Sequence, residues 1–174
     1  MTGGGRRLML LRHAKSDWAD AGTPDAARPL SRDGRAACAL VARHFSAEGL
    51  APDLILCSSA LRTRQTVRRI AAALPPNVPV LTEDRLYLAS ADQLLVRLRE
   101  IDDGVPNVLL VGHNPGIHAL AAGLLPPADR LRIPTFPTAA LAVLELGSRR
   151  WAELGPAGTR FGSFVTPKAS RRGT

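Results

Sequence analysis

The stretch NVLLVGHNPG, residues 107–116, decides the fold. After Asn107 its residues up to Val111 are all apolar, as expected of a strand that helices cover on both faces. Gly112 and His113 follow directly, and Asn114 with Pro115 makes a favourable N-cap and first turn for a helix. The stretch therefore predicts a buried strand at 107–111, then a polar turn, then a helix.

Apolar runs of strand length and amphipathic runs of helix length also alternate on the N-terminal side of this stretch. Ser31 is a suitable N-cap for one helix, and Ser90 with Gln93 forms a capping box for another. A third helix is predicted from about Ala60 to Leu74. The strands are predicted at residues 7–12, 53–57 and 78–82. This alternation is typical of an α/β fold whose sheet is largely parallel.

The last third of the chain has a different pattern. Two strands, at residues 139–146 and 150–154, are predicted on either side of a Gly147-Ser148 turn, so we expect a hairpin at one edge of the sheet. Because we find no repeat and no linker, we predict a single domain over residues 1–174. Residues 1–6 and 168–174 are expected to be flexible tails.

Length and composition exclude several classes of protein. A chain of 174 residues with 45% hydrophobic and 22% charged residues is long and apolar enough for one core. Its longest stretch without charged residues, 105–128, contains two histidines and four prolines, which argues against a membrane span. The apolar run at 8–11 is too short for a secretory signal, so we expect a cytoplasmic protein. Cys38 and Cys57 are expected to be reduced thiols in the core.

The formal net charge of +8 raises the possibility of nucleic-acid binding. Five basic residues belong to the two tails, and removing them from +8 leaves +3: Arg6, Arg7, Lys168, Arg171 and Arg172. Aromatic residues are only 4% of the chain, so stacking surfaces for single strands are scarce. An anionic small substrate explains the charge equally well, because arginine binds phosphate through a planar bidentate fork.

Charged and titratable residues follow three of the predicted strands. Arg12 and His13 follow the first, Ser58 to Arg62 follow the second, and His113 follows the fourth. The carboxyl ends of parallel strands form the binding edge of such sheets, and helix N-termini there favour anions. We therefore expect two histidines and at least two arginines to converge on a phosphate.

Two histidines that face one phosphoryl group indicate nucleophilic catalysis, with one imidazole attacking phosphorus while arginines stabilise the equatorial oxygens. This chemistry requires neither a metal nor a cofactor. His113 and His118 do not make a metal pair, because five helical residues turn the second side chain about 140° away from the first. The sequence also lacks the phosphate loop that binds nucleotides with magnesium.

These residues stand in motifs that resemble the histidine phosphatase superfamily, also called phosphoglycerate mutase-like, in its short branch of SixA-type phosphohistidine phosphatases. The resemblance covers nearly the whole chain. The motifs are LRHAKS at 11–16, RPLS at 28–31 with Gly34, SSALRTRQT at 58–66, LY at 86–87 and VGHNPG at 111–116.

The resemblance implies a fold and a role for each site residue. The fold is a three-layer sandwich with a mostly parallel sheet between helices. His13 is implied to be the nucleophile that becomes phosphorylated, Arg12 and Arg62 the phosphate clamps, and His113 the second histidine. The substrate-binding residues are expected to include Arg28 and Asn114.

The sequence departs from the superfamily pattern at two positions. Ala14 stands where the superfamily usually has glycine, so the backbone there must accommodate a Cβ. Leu88 lies in the segment where many members carry a glutamate general acid. An alkoxide leaving group, with a conjugate-acid pKa of about 15, benefits strongly from such an acid, whereas imidazole, at roughly 6.5, does not. The acids that remain as substitutes are Glu83, Asp84 and Asp17.

The expected function is thus a metal-independent phosphatase that acts through a phosphohistidine intermediate on phosphohistidine in another protein. One alternative is a phosphatase of a small phosphorylated metabolite. A second, from another class, is a basic binding module without catalysis, which the complete set of His13, Arg62 and His113 argues against. We expect neither nucleic acid nor membrane as a partner, and the sequence leaves the oligomeric state open.

Overall fold

The computed structural model describes residues 5–18, 21–147 and 150–167. Six strands form one sheet: β1 (Arg6–Arg12), β2 (Leu54–Ser58), β3 (Val80–Glu83), β4 (Asn107–Gly112), β5 (Leu141–Gly147) and β6 (Arg160–Val165). Five α-helices surround it: α1 (Arg32–Ala47), α2 (Leu61–Ile70), α3 (Ala91–Arg99), α4 (Gly116–Leu124) and α5 (Pro127–Arg130).

The strand order in the sheet is β3-β2-β4-β1-β5-β6. The strands β3, β2, β4 and β1 are parallel to one another. β5 is antiparallel to β1, and β6 is antiparallel to β5. The predicted α/β fold with a mostly parallel sheet is confirmed. Because β2, β4 and β1 are adjacent, their carboxyl ends lie side by side.

Side-chain alternation along β1 divides the core into two layers. Leu8 and Leu10 pack in one cluster with residues of α3 and α4. Met9 and Leu11 pack in the other with residues of α1 and α2. The sheet therefore separates two helical layers, which is the three-layer sandwich that the family resemblance implied. Cys38 and Cys57 are free thiols within the second cluster, as predicted.

The predicted caps of two helices are present. Ser31 precedes α1 and its hydroxyl accepts a hydrogen bond from the backbone N–H of Gly34. Ser90 and Gln93 form the complete capping box of α3. α2 begins near the predicted residue but ends at Ile70, where a 3₁₀ turn over residues 71–73 replaces the last part of the predicted helix.

An antiparallel pair of strands is present at the edge of the sheet as predicted, but the hairpin with a Gly147-Ser148 turn is wrong, because its second strand begins only at Arg160. Residues 151–153 form a 3₁₀ turn, and β6 pairs with β5 instead. Trp151 is fully buried, and its indole N–H donates to the carbonyl of Val105 at 2.7 Å. Because Trp151 packs in the core, residues 151–153 do not pair with the edge of the sheet. Ser148, in the predicted turn, lies outside the described residues.

The tail prediction falls mostly outside the described residues, which exclude 1–4 and 168–174. It is wrong for Arg6, because this residue begins β1 and its guanidinium donates to the carbonyl of Asp103 at 2.6 Å. Among the helices of the described ranges, none has the length and apolar character that a membrane span requires.

Candidate active site

The six residues predicted for the site line one pocket of about 280 Å³ at the carboxyl edge of the sheet. They are Arg12, His13, Arg28, Arg62, His113 and Asn114. The register explains part of this convergence, because Arg12 at the end of β1 pairs with Gly112 at the end of β4. Each histidine is the residue that follows its strand, and the two ring centroids are 5.1 Å apart.

His13 has a ring nitrogen available for attack. Its Nδ1 lies 2.8 Å from the carbonyl oxygen of Ala14, and since a carbonyl only accepts, Nδ1 carries the proton. The neutral ring therefore has its lone pair on Nε2. Burial lowers the pKa of His13 to about 4, and the positive charges of Arg62, Arg12 and Arg28 act in the same direction. His13 is thus uncharged at neutral pH.

Ala14 is accommodated where the family usually has glycine. Its side chain is buried in the cluster against α1 and α2, and its backbone N–H donates to the hydroxyl of Thr66 at 3.1 Å. The close approach in this region occurs instead at Gly34, where a Cβ would collide with the carbonyl of Lys15. Gly34 therefore allows α1 to pack against the segment that follows His13.

His113 has hydrogen-bond partners at both ring nitrogens. The Arg62 guanidinium, which can only donate, lies 3.3 Å from Nδ1, so Nδ1 accepts and Nε2 donates to the Ser58 hydroxyl at 2.7 Å. Burial lowers the pKa of His113 to about 3, with further contributions from His13 and Arg62. Ser58 appeared in the sequence only as part of a motif, and its contact with the second histidine was not predicted.

Arg62 lies in the first turn of α2 and is only 3% exposed. Its guanidinium donates to the backbone carbonyl of Asp25 at 2.6 Å and to the Asp25 carboxylate at 3.0 Å. Arg28 donates to the other carboxylate oxygen of Asp25 at 2.9 Å. The Tyr87 hydroxyl also donates to this carboxylate. One carboxylate thus holds both arginines.

Asp25 is the main residue of the site that the sequence analysis missed. Hydrogen bonds from Tyr87, and then from Arg28 and Arg62, hold the pKa of Asp25 well below its usual range. The carboxylate is therefore ionised and offsets the charge of the two arginines. A signal was present: Asp25 stands three residues before Arg28, and two buried or half-buried arginines need an anion when no substrate is bound.

Arg12 and Asn114 share one acceptor. Both side chains donate to the backbone carbonyl of Phe136, each at 2.9 Å. The prediction that Asn114 caps the following helix is wrong, because its Oδ1 accepts no hydrogen bond from the helix and Pro115 occupies the N-cap position of α4. Burial lowers the pKa of Arg12, and the nearby charge of Arg62 lowers it further.

Of the three acids considered as proton donors, none lines the pocket. Glu83 is bound by Arg97 through three contacts of 2.8 to 3.0 Å, which lower the pKa of Glu83 and keep it ionised. Asp17 accepts from the backbone N–H of Trp18. Leu88 lines the pocket instead. The described residues that line the pocket therefore include cations, imidazoles and neutral groups, and the neighbouring Asp25 carboxylate is ionised and bound by Arg28 and Arg62, so it is not a proton donor.

Two other features are separate from this pocket. His118 bonds to the carbonyl of Ile133 at 3.0 Å, and no cluster of three or more metal-ligating side chains occurs in the described parts of the chain. A larger groove of about 540 Å³ lies between α1 and α2. Its lining includes arginines but no histidine, so the smaller pocket is the candidate active site.

Comparison with known proteins gives the family. The model of the histidine phosphatase superfamily (branch 1) matches residues 8–87. A candidate phosphohistidine phosphatase SixA from Agrobacterium tumefaciens is 31% identical, with 94% of this chain and 99% of that chain covered and a TM-score of 0.81. The chain belongs to the histidine phosphatase superfamily.

Two further proteins are similar to this chain over nearly its full length. A candidate SixA from Nakamurella multipartitia has a TM-score of 0.81 and 28% identity, with 94% of this chain and 97% of that chain covered. An uncharacterized chloroplastic protein of Arabidopsis thaliana is 33% identical over 95% of this chain and 79% of its own length. The protein is therefore a phosphatase of this superfamily.

Proposed function

We propose that the protein removes phosphate from phosphohistidine carried by another protein, through a covalent intermediate on His13. The observation that carries this proposal is the composition of the pocket wall, which joins an uncharged histidine and three arginines but supplies no carboxylic acid. Phosphohistidine needs less help from an acid than a phosphomonoester does, because imidazole is a far better leaving group than alkoxide.

In the first step, Nε2 of His13 forms a bond to phosphorus while the bond from phosphorus to the substrate imidazole breaks. The electron pair of that bond returns to the substrate nitrogen. The substrate ring leaves as neutral imidazole when its second nitrogen carries a proton from solvent. Arg12, Arg28 and Arg62 offset the charge on the phosphoryl oxygens as it redistributes.

In the second step, water attacks the phosphorylated His13 and its proton passes to the released phosphate. The Ala14 carbonyl has a specific role here. By keeping a proton on Nδ1, it allows His13 to leave as a neutral ring and regenerates the tautomer in which Nε2 is free. The same contact thus serves both attack and departure.

His113 is proposed to bind the phosphoryl group, with Ser58 as its positioning residue. When Arg62 turns to phosphate, Nδ1 of His113 loses its donor and can itself carry a proton toward an oxygen. The Ser58 hydroxyl either accepts from Nε2 or donates to it, so it fits both tautomers of His113. Asn114 is proposed to contact the substrate from the other side of the pocket.

The test is a panel of substrates at equal concentration, assayed in excess chelator. It compares a histidine-phosphorylated phosphotransfer domain and a histidine-phosphorylated phosphocarrier protein with common phosphomonoesters. We expect kcat/KM to be at least tenfold higher for one or both phosphohistidine proteins. A preference for a small phosphomonoester would instead support a metabolite phosphatase, and no turnover of any substrate would contradict catalysis.

A further inference from the structure

Two large apolar side chains stand exposed at the mouth of the pocket. Trp18 is 80% exposed and Leu88 is 55% exposed, and both line the pocket that holds the histidines. The other exposed large apolar residues of the described chain lie outside this pocket: Val80, Leu81, Val96 and Leu131. We call Trp18 and Leu88 together the apolar rim.

Leu88 is held in a conformation that leucine rarely adopts. Its φ is 50°, in the left-handed region where a Cβ is unfavourable. The neighbours fix this geometry, because the Tyr87 hydroxyl bonds to Asp25 and the carbonyl of Ala89 packs against Gly116, where a Cβ would collide with it. Glycine or asparagine would suit this backbone better.

The side chain of Leu88 buries little apolar surface that could offset this strain. It is more than half exposed and belongs to neither core cluster. An observed backbone outlier at a pocket is a reason to look for a function. A function at this position would use the exposed apolar side chain itself, since glycine or asparagine would relieve the backbone.

Trp18 stacks on Arg28, one of the predicted substrate-binding residues. The guanidinium carbon of Arg28 lies 3.4 Å from the ring centroid of Trp18, a stacked cation–π contact. Arg28 is itself held by the Asp17 carbonyl, the Ser16 hydroxyl and the Asp25 carboxylate. The indole is therefore presented to solvent by the group that is proposed to bind phosphate.

We infer that the apolar rim is the docking surface for the protein that carries the phosphohistidine, and that this partner presents apolar side chains next to its phosphohistidine. The inference rests on the proposed function. Because Trp18 and Leu88 line the same pocket as His13 and His113, the part of a substrate next to its bound phosphate would lie beside the rim. A small polar phosphorylated metabolite has no apolar group to cover Trp18 and Leu88, whereas a folded protein surface does.

The experiment compares two substrates with the same leaving group, a histidine-phosphorylated phosphotransfer domain and free phosphohistidine. The variants are Leu88→Asn, Leu88→Gly and Trp18→Ser. We expect each to lower the ratio of kcat/KM for the phosphoprotein to kcat/KM for free phosphohistidine by tenfold or more. Leu88→Met, which keeps an apolar side chain, should retain the ratio to within about twofold.

The matched control is Val96→Ser on α3, because Val96 is 57% exposed and lies outside the pocket. It should leave the ratio unchanged. The Tm of Leu88→Gly and Leu88→Asn should equal or exceed that of the parent, since both residues tolerate the left-handed backbone. A lost preference with a maintained Tm excludes a merely structural role for Leu88.

Three results would overturn the inference. If the parent prefers the phosphoprotein and the rim variants keep the same ratio, the rim is not a docking surface, and the proposed function is unaffected. A parent that hydrolyses neither the phosphotransfer domain nor the phosphocarrier protein would contradict both the inference and the proposed function. Equal losses on both substrates, together with a changed oligomeric state by sedimentation, would make the rim a contact between copies of this chain.

Discussion

The pocket is assembled from two regions that hold their side chains in different ways. The first, which we call the frame, comprises Arg12, His13, Arg62 and His113 at strand ends and at the start of α2. The second is the loop between β1 and α1, which brings in Asp25 and Arg28 by ion pairs and hydrogen bonds. Backbone hydrogen bonds of the sheet and of α2 fix the positions of the frame residues, whereas the loop geometry and the orientation of the Arg62 guanidinium depend on the ionised Asp25 carboxylate.

This comparison separates two kinds of contribution to the reaction. The frame supplies the groups that are proposed to form bonds or to stabilise charge at phosphorus. The loop supplies the anion that binds Arg28 and Arg62, offsets their charge and orients them before substrate binds. Substitutions in the frame should therefore lower the rate of the chemical step. Substitutions in the loop should change kcat less and should also change the affinity for phosphate.

The largest effect is expected at His13. His13→Ala should reduce turnover to background, because no other described side chain is placed to attack phosphorus. Rapid quench with labelled substrate should trap an adduct on the parent enzyme that is acid-labile and base-stable, as a phosphoramidate is. The variant should show none.

His113→Ala tests the order of the two histidines in the same assay. It should slow formation of the adduct but still permit it, since His113 is proposed to stabilise charge and not to attack. Label on His113, or as much adduct in His13→Ala as in the parent, would reverse the assignment.

The next effect belongs to Arg62, also in the frame. Arg62→Ala should lower kcat by on the order of 100-fold or more, as removal of a donor to the transition state does in other enzymes. The reason is that the buried guanidinium of Arg62 lies 3.3 Å from Nδ1 of His113, and alanine leaves no donor at this position. Steady-state kinetics with an aryl phosphate measure the change, and a rate near that of the parent would exclude Arg62 from the reaction.

A smaller effect, with a different signature, is expected for the loop. Asp25→Asn should lower kcat by about tenfold, because Arg28 and Arg62 lose the carboxylate that orients them. The Ki for inorganic phosphate should fall, since the pocket becomes more positive. A residue that bound substrate directly would raise KM and Ki instead, so the sign of the change in Ki decides between the two roles.

Asp129→Asn is the matched control for Asp25→Asn. Asp129 pairs with Arg132 in the same i,i+3 spacing as Asp25 with Arg28, but away from the pocket. It should leave both kcat and Ki unchanged. A similar fall in kcat for the control would show that the effect at Asp25 comes from general destabilisation.

The smallest effect is a dependence of stability on pH that originates in the frame. The folded pKa values of His13 and His113 are about 4 and about 3, below the value of about 6.5 in an unfolded chain. Between these values the unfolded state binds more protons, so the free energy of unfolding should decrease as pH falls from about 6.5 to about 4. Thermal unfolding at a series of pH values measures this slope, and His13→Gln should reduce it.

Imidazole NMR titration provides an independent check of the same prediction. Both rings should remain neutral at pH 5.5, because both are buried among positive charges. Titration of either ring between pH 6 and 7 would contradict the environment described for the frame.

The frame was predictable from the sequence, and the reason is geometric. Arg12, His13 and His113 each stand directly at the end of an apolar run, and parallel strands of similar length bring such positions together. Arg62 followed from its place in the first turn of a predicted helix. For these residues, knowing the strand ends was enough to predict the pocket they share.

The loop and the rim were not predictable in the same way. The spacing of Asp25 and Arg28 was compatible with an ion pair, but nothing in residues 14–31 shows that Asp25 also contacts Arg62, thirty-seven positions later, because this contact depends on the path of an irregular backbone. The strained φ of Leu88 is likewise a property of its neighbours' contacts. The second strand of the hairpin was missed because Trp151 packs into the core, a tertiary preference that overrides local pattern.

The two buried cysteines carry a consequence for oxidative conditions. Burial raises the pKa of both the Cys38 and Cys57 thiols to about 11, so they remain protonated, and neither lines the active-site pocket. Peroxide and alkylating reagents react with thiolates, and they therefore inactivate phosphatases that use a thiolate nucleophile. With the proposed imidazole nucleophile on His13, and with thiols that are protonated and outside the pocket, we expect this phosphatase to retain its activity when such oxidants accumulate.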